Sequence, residues 1–232
     1  MQYLVEAGNL LKETLSAQSS ALLKRASVVN IEGSYDHAER ILEHVDTEFK
    51  SYSPNYMPFL TSNQVCVINC PGKGINPQKI AGFVRDGGWL FTTDWVIHYL
   101  IEAAFPRTIK RLDGISTGDD VVKIEAERSP ITEGLNGAPE FWIDGSSWGI
   151  EPVSPHIVPI LKSQEFKQLY GSDLIMAGFK WGYGRVFHTT SHVELQRSRA
   201  GGTRLEDAYS SLRLLSNVII QKQAENIRKK YR

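Results

Sequence analysis

The chain is short of cysteine, of net charge and of long apolar runs, and each shortage removes a class of protein. Two cysteines, Cys66 and Cys70, in 232 residues make no secreted disulfide framework. Four residues apart on a strand, their α-carbons stand roughly 13 Å from one another, too far for a bridge. Lys plus Arg equals Asp plus Glu at 26 each, so the basic excess of a nucleic-acid-binding chain is missing. The one basic run is RKKYR at 228–232. Cations in the last turn of a helix complement its dipole, which explains them without a polyanionic partner. No apolar run approaches the ~20 residues of a membrane span. Glu6 and Lys12 interrupt what would be the core of a signal peptide. The expectation is a cytoplasmic chain that meets neither nucleic acid nor membrane.

What the chain does have is one clear βαβ unit at 65–95, VCVINCPGKGINPQKIAGFVRDGGWLFTTDW. Val65, Val67 and Ile68 form the short apolar run of a strand buried on both faces. Asn76-Pro77 predicts a helix start, with Asn as cap and Pro in the first turn. Ile80, Phe83 and Val84 share a face of that helix, and Gly87-Gly88 ends it before Trp89, Leu90 and Phe91. A parallel sheet follows, and ligands of such sheets bind at the carboxyl ends of the strands. Here those ends are the loops at 69–74 and 92–95.

Around this unit the pattern predicts a helix over 1–24, a strand at 26–31, a helix at 36–44, a short strand at Phe49 and a helix over 95–105. Residues 107–118 have no regular pattern. Strands are expected at 121–124, 141–143 and 157–161, with a hairpin-like pair at 174–177 and 185–189. Leu205, Ala208, Leu212, Leu215 and Ile219 mark a C-terminal helix. The leading helix is not required by a βαβ plan. It serves either as an extra packed layer or as a docking helix for a protein partner or a second copy. Trp142, Trp148, Trp181, Tyr183 and Phe187 crowd the later third, as core or as stacking surface.

Three loops converge at the carboxyl edge: 70–74, 92–95 and 188–194. Asn69-Cys70-Pro71-Gly72-Lys73-Gly74 resembles the glycine-rich oxyanion loop of the class I glutamine amidotransferase-like superfamily, and His192-Val193-Glu194 has the spacing of its late His-x-Glu pair. Within that superfamily the chain is similar to the ThuA-like (trehalose utilisation) branch in FVRDGGWLFTTD (83–94), SPITEGL (129–135) and GYGRVFHTTSH (182–192). The resemblance implies an α/β, flavodoxin-like three-layer sandwich over 26–232, with a mainly parallel central sheet. The helical extension at 1–25 and the C-terminal helix are additions to it. It also places the nucleophile elbow at Thr93-Asp94, where the superfamily's cysteine is absent.

That departure decides the functional expectation. Thr93 is a poor nucleophile without a strong base, and Asp94 offers a carboxylate in place of a thiol. A non-catalytic binding or scaffold protein is one reading, with no cofactor and no metal. The alternative is an enzyme acting on a small polar or sugar-derived metabolite. It would use Asp94, His192 and Glu194, with Gly72, Lys73, Gly74 and Thr93 lining the ligand. Cys70 is a further thiol candidate, provided that His192 reaches it with Glu194 orienting the imidazole; otherwise it fills the strand end as a small apolar residue. His188, His192 and Glu194 are spaced by even numbers, so on one extended strand they would face one way and, with Asp94, suit a divalent metal.

Overall fold

Apolar alternation along the strands sets the layers. The computed structural model describes residues 2–135, 139–194, 196, 198–199 and 201–231. An eight-stranded sheet runs in the order β2-β1-β3-β4-β12-β11-β10-β7, where β1 is Ser27–Ile31, β2 Glu48–Tyr52, β3 Val65–Ile68, β4 Trp89–Thr93, β7 Glu125–Ala126, β10 Val158–Lys162, β11 Leu174–Trp181 and β12 Gly184–Thr189. The first five in that order are parallel, and β11, β10 and β7 add antiparallel pairings at one end. Alternate side chains enter opposite cores. Val28, Val65, Val67, Trp89, Phe91 and Phe187 pack on one face. Val29, Cys66, Ile68, Leu90 and Val186 pack on the other. The result is the mainly parallel three-layer α/β arrangement that the sequence predicts.

The first face is covered by α1 (Gln2–Thr14), α2 (Ala17–Leu23), α3 (Ala38–Leu42) and α7 (Leu205–Lys230). The second is covered by α4 (Pro77–Arg85), a π-helical turn (Ile97–Ile101) and α5 (Glu102–Ala104). Asn76 caps α4 as expected, its side chain accepting the Lys79 N–H at 3.0 Å. The single helix expected over 1–24 is two. Ser16 breaks the run and caps α2, accepting the Ser19 N–H at 3.1 Å. Leu4, Ala7, Gly8 and Leu11 of α1 are buried, and the three apolar side chains join the α7 core. The inner stripe of this helix is therefore used within the chain, and only its outer face, with Val5 48% exposed, remains for a partner.

The segment between α5 and β11 carries the additions. β5 (Ile109–Arg111) pairs with β9 (Ile150–Pro152), and β6 (Asp120–Lys123) pairs with β8 (Glu140–Ile143). The 107–118 stretch, expected to be irregular, thus contains a strand. The helix α6 (Gln164–Tyr170) has no counterpart in the expectation, although Ser163 caps it and Gly171 closes it at φ 84°. Helix α7 holds the 129–135 segment directly. Asn217 Nδ2 donates to the carbonyls of Ile131 and Glu133 at 2.9 and 2.8 Å, and Arg213 Nε donates to Glu133 O at 2.9 Å. The basic tail forms the last turn of α7, with Lys229 paired to Glu225 at 2.7 Å; Arg232 lies outside the described residues. Among the described residues no helix is long and apolar enough to cross a membrane.

Candidate functional site

The parallel strands deliver four segments to one edge. Those after β1, β3, β4 and β12 carry Asp36, Cys70, Asp94 and His192. The turn after β4 is sharp. Asp94 has φ 45°, a left-handed conformation that costs a non-glycine residue energy. Its N–H donates to Thr189 O at 2.8 Å, and its carbonyl accepts from Ile97 N at 3.1 Å, at the start of the π-helical turn. This strand-to-helix turn stands where the elbow is expected, with a carboxylate at its tip.

Asp94 Oδ2 is shared. Cys70 Sγ donates to it at 3.4 Å and His192 Nε2 pairs with it at 3.2 Å. Thr93 Oγ1 accepts the Cys70 N–H at 3.1 Å, so this expected ligand residue fixes the loop from within. Cys70, Asp94 and His192 are 1%, 3% and 3% exposed. Asp94 Oδ1 is buried with no hydrogen-bond partner among the described residues. On the other side of the ring, His192 Nδ1 lies 3.8 Å from Asp144 Oδ2. Ligand atoms of Cys70, Asp94 and His192 all lie within 4.8 Å of one another, a set able to hold a metal ion.

Charge and burial both bear on the protonation of this group. Burial pushes the Cys70 thiol well up, and the Asp94 carboxylate beside it pushes further, so the thiolate is disfavoured. Burial opposes a charged His192, but the bond to Asp94 and the carboxylates of Asp36, Asp94 and Asp144 outweigh it and raise the imidazole above its usual value. An imidazole already bonded to Asp94 and a thiol pushed up by burial make a poor base–nucleophile pair.

Glu194 does not orient His192. Its Oε1 takes a charged hydrogen bond from Arg40 on α3, and its Oε2 is buried without a partner among the described residues. The parity expectation fails because β12 ends at Thr189, leaving His192 and Glu194 in the following loop. His188 remains on the strand, bonded through Nδ1 to Thr92 Oγ1 at 2.9 Å, and burial lowers it to about 3. The expected His188–His192–Glu194 set is therefore split, and Cys70 takes the place given to Glu194.

Several residues that hold the edge are marked by no local pattern in the sequence. Asp36, fully buried, accepts the N–H groups of His37, Val193 and Glu194 at 3.0, 3.1 and 3.2 Å. Asn69 ties β3 to β1, donating to Asn30 Oδ1 and Ile31 O and accepting from Ala38 N. Gly33 is required by close approach: a Cβ there would lie 2.2 Å from Cys70 O. Of the expected ligand residues, Gly72 is buried against Val96 with φ 69°, while Lys73 and Gly74 are exposed. Over the edge lie Tyr35, Trp95 and Trp148, with successive centroids 5.8 and 5.4 Å apart; Arg111 sits 5.1 Å over the Trp148 ring. Trp142 and Phe187 are core, and Tyr183 is exposed. A groove of about 710 Å³ lies elsewhere, beside Trp89, Ile160 and Arg185 at the amino-terminal part of β4, β10 and β12.

No protein-family model and no curated protein sequence matches the chain. Solved structures do. A Thermoplasma acidophilum protein, described as one of the subunits of a GMP synthase, is similar over 89% of this chain and 98% of its own, at 12% identity and TM-score 0.59. A cytoplasmic protein of Salmonella typhimurium is similar over 83% and 97%, at 16% identity and TM-score 0.57. PurLQS from Thermotoga maritima is similar over 83% and 97%, at 13% identity and TM-score 0.55. These chains share the mainly parallel three-layer α/β fold described above, and at these identities the likeness extends to the fold alone.

Proposed function

We propose that this chain is a non-catalytic binding protein built on the amidotransferase-like fold, acting through a protein partner or a small polar ligand. One observation carries the reading. Asp94 stands at the elbow, and its Oδ2 is shared by a thiol and an imidazole, with none of the three residues more than 3% exposed. An acyl-transfer site needs an exposed nucleophile and a neutral base beside it. Here the imidazole is already bonded to Asp94, the thiolate is disfavoured and Glu194 is bound to Arg40. The last contact also weighs against the alternative of an enzyme working through Asp94, His192 and Glu194.

Within the fold, FVRDGGWLFTTD, SPITEGL and GYGRVFHTTSH favour the ThuA-like branch. The aromatic rim of Tyr35, Trp95 and Trp148 is the surface on which a planar or sugar-like ligand would stack. The outer face of α1 is the surface for a partner. Deleting that helix would remove core side chains, so Val5→Asp is the cleaner perturbation there.

The test is chemical. Chelator-treated native protein is given glutamine and, separately, a thiol-reactive probe. No ammonia release and no Cys70 labelling before denaturation are expected. Native labelling of Cys70 that disappears in His192→Ala, or glutamine hydrolysis, would overturn the reading.

A further inference from the structure

We infer that Cys70, Asp94 and His192 form a zinc site that ties together the loops after β3, β4 and β12. The donor set is one sulfur, one carboxylate oxygen and one imidazole nitrogen, a mixture that suits Zn²⁺ and not the oxygen-seeking Mg²⁺ or Ca²⁺. Its spacing is close to that of a coordination shell. Zinc bonds of about 2.3 Å to sulfur and about 2.0–2.1 Å to nitrogen and oxygen, at tetrahedral angles, put S···O edges near 3.5 Å and N···O edges near 3.3 Å. The observed Sγ···Oδ2 and Nε2···Oδ2 separations are 3.4 and 3.2 Å. The third edge, from sulfur to nitrogen, is no longer than 4.8 Å.

Two independent features point to a ligand. Among the described residues Asp94 Oδ1 is buried with no partner, an orphan acceptor on a carboxylate within the cluster. A bound cation would compensate that carboxylate. Behind the ring, Asp144 Oδ2 lies 3.8 Å from His192 Nδ1. Metal-binding histidines commonly have a carboxylate at their second ring nitrogen; at 3.8 Å Asp144 makes a charge contact with that nitrogen and not a hydrogen bond. Asp144, with its side chain 40% exposed, also places solvent one side chain away from the site. On binding, Zn²⁺ replaces the proton on Sγ and the proton on Nε2, and both pass to solvent. The three residues are at most 3% exposed, which points to a structural role for the ion in place of a substrate-binding one. The inference does not depend on the non-catalytic reading: metal occupancy and turnover are measured separately.

The experiment is a titration of chelator-stripped, folded protein with Co²⁺ as a spectroscopic substitute, followed by competition with Zn²⁺. One equivalent should give tetrahedral ligand-field bands and a near-ultraviolet thiolate-to-cobalt band, both abolished by Zn²⁺. The chain has only two cysteines, so persistence of the band in Cys66→Ala and its loss in Cys70→Ser assign the sulfur. Should Cys70→Ser fail to fold, the Cys66→Ala spectrum alone makes the assignment. Asp144→Asn should weaken affinity about 10–100-fold while keeping the spectrum. A wild-type protein that shows no saturable band, or a band lost in folded Cys66→Ala, would overturn the inference.

Discussion

Replacing Asp36 with Asn tests how the edge is held. The buried carboxylate accepts three backbone N–H groups, from His37, Val193 and Glu194, and so anchors the loop that carries His192. Asn keeps one oxygen. With that oxygen at the Oδ1 position, the bonds to His37 and Glu194 survive as neutral ones and the Val193 N–H keeps only its longer 3.3 Å contact to Oδ1, with the amide NH2 facing it donor to donor. Hydrogen bonds to a charged acceptor contribute about 1.5–3 kcal/mol and neutral ones about 0.5–1.5. One charged bond reduced to a long neutral contact and two weakened amount to about 2–4 kcal/mol. Urea unfolding of both proteins at neutral pH should show a lower midpoint with an unchanged m-value. Asp36 also helps to raise His192, so the variant should lower the His192 midpoint. A loss below about 1 kcal/mol, together with an unmoved His192, would refute this role.

Three further outcomes are expected. Gly33→Ala forces a methyl against Cys70 O at 2.2 Å and should destabilise by about 1–3 kcal/mol; equal thermal midpoints for variant and parent would contradict the close approach. Arg40→Gln leaves the buried Glu194 carboxylate without its cation and should cost about 1–3 kcal/mol, less than a fully buried pair because Arg40 is half-exposed; denaturant titration reads it. His188 is lowered from 6.5 to about 3 by burial. The unfolded chain therefore takes up a proton that the native one refuses, and stability should fall as pH drops from about 6.5 toward about 3, by up to about 1.4 kcal/mol per unit from this group. His188→Gln should flatten that slope, and a slope unchanged by the substitution would dismiss the assignment.

Local chemistry makes the fold readable. Val65, Val67 and Ile68, then Asn76-Pro77, then Gly87-Gly88 each act within a few residues, and strand, cap and stop all stand where that chemistry places them. The edge is readable only in part. The order of loops at the carboxyl ends points to Asp94 and His192, and the sheet brings them to 3.2 Å. Glu194 has a different neighbour from the expected one because parity along a strand loses meaning once β12 stops at Thr189. Arg40 and Asp36 act on a loop more than 150 positions away, and no local pattern carries such a pairing. Helix α6 has a usable signal in Ser163 and Gly171, a cap and a stop around a short apolar face. The break at Ser16 is marked in the same way, by a serine before Ala17–Leu23.

The most direct measurement of whether this edge is self-satisfied is an NMR titration of the histidine rings in metal-free protein. His192 should carry its proton to a midpoint above 6.5, held by Asp94, Asp36 and Asp144 against the opposing effect of burial. Its contribution to stability is then full below 6.5 and is lost as pH rises through the native midpoint. His188 should stay neutral until the protein unfolds in acid. A His192 midpoint below 6.5, as expected of a neutral base facing a free thiol, would contradict the pairing of His192 with Asp94 and the proposal built on it.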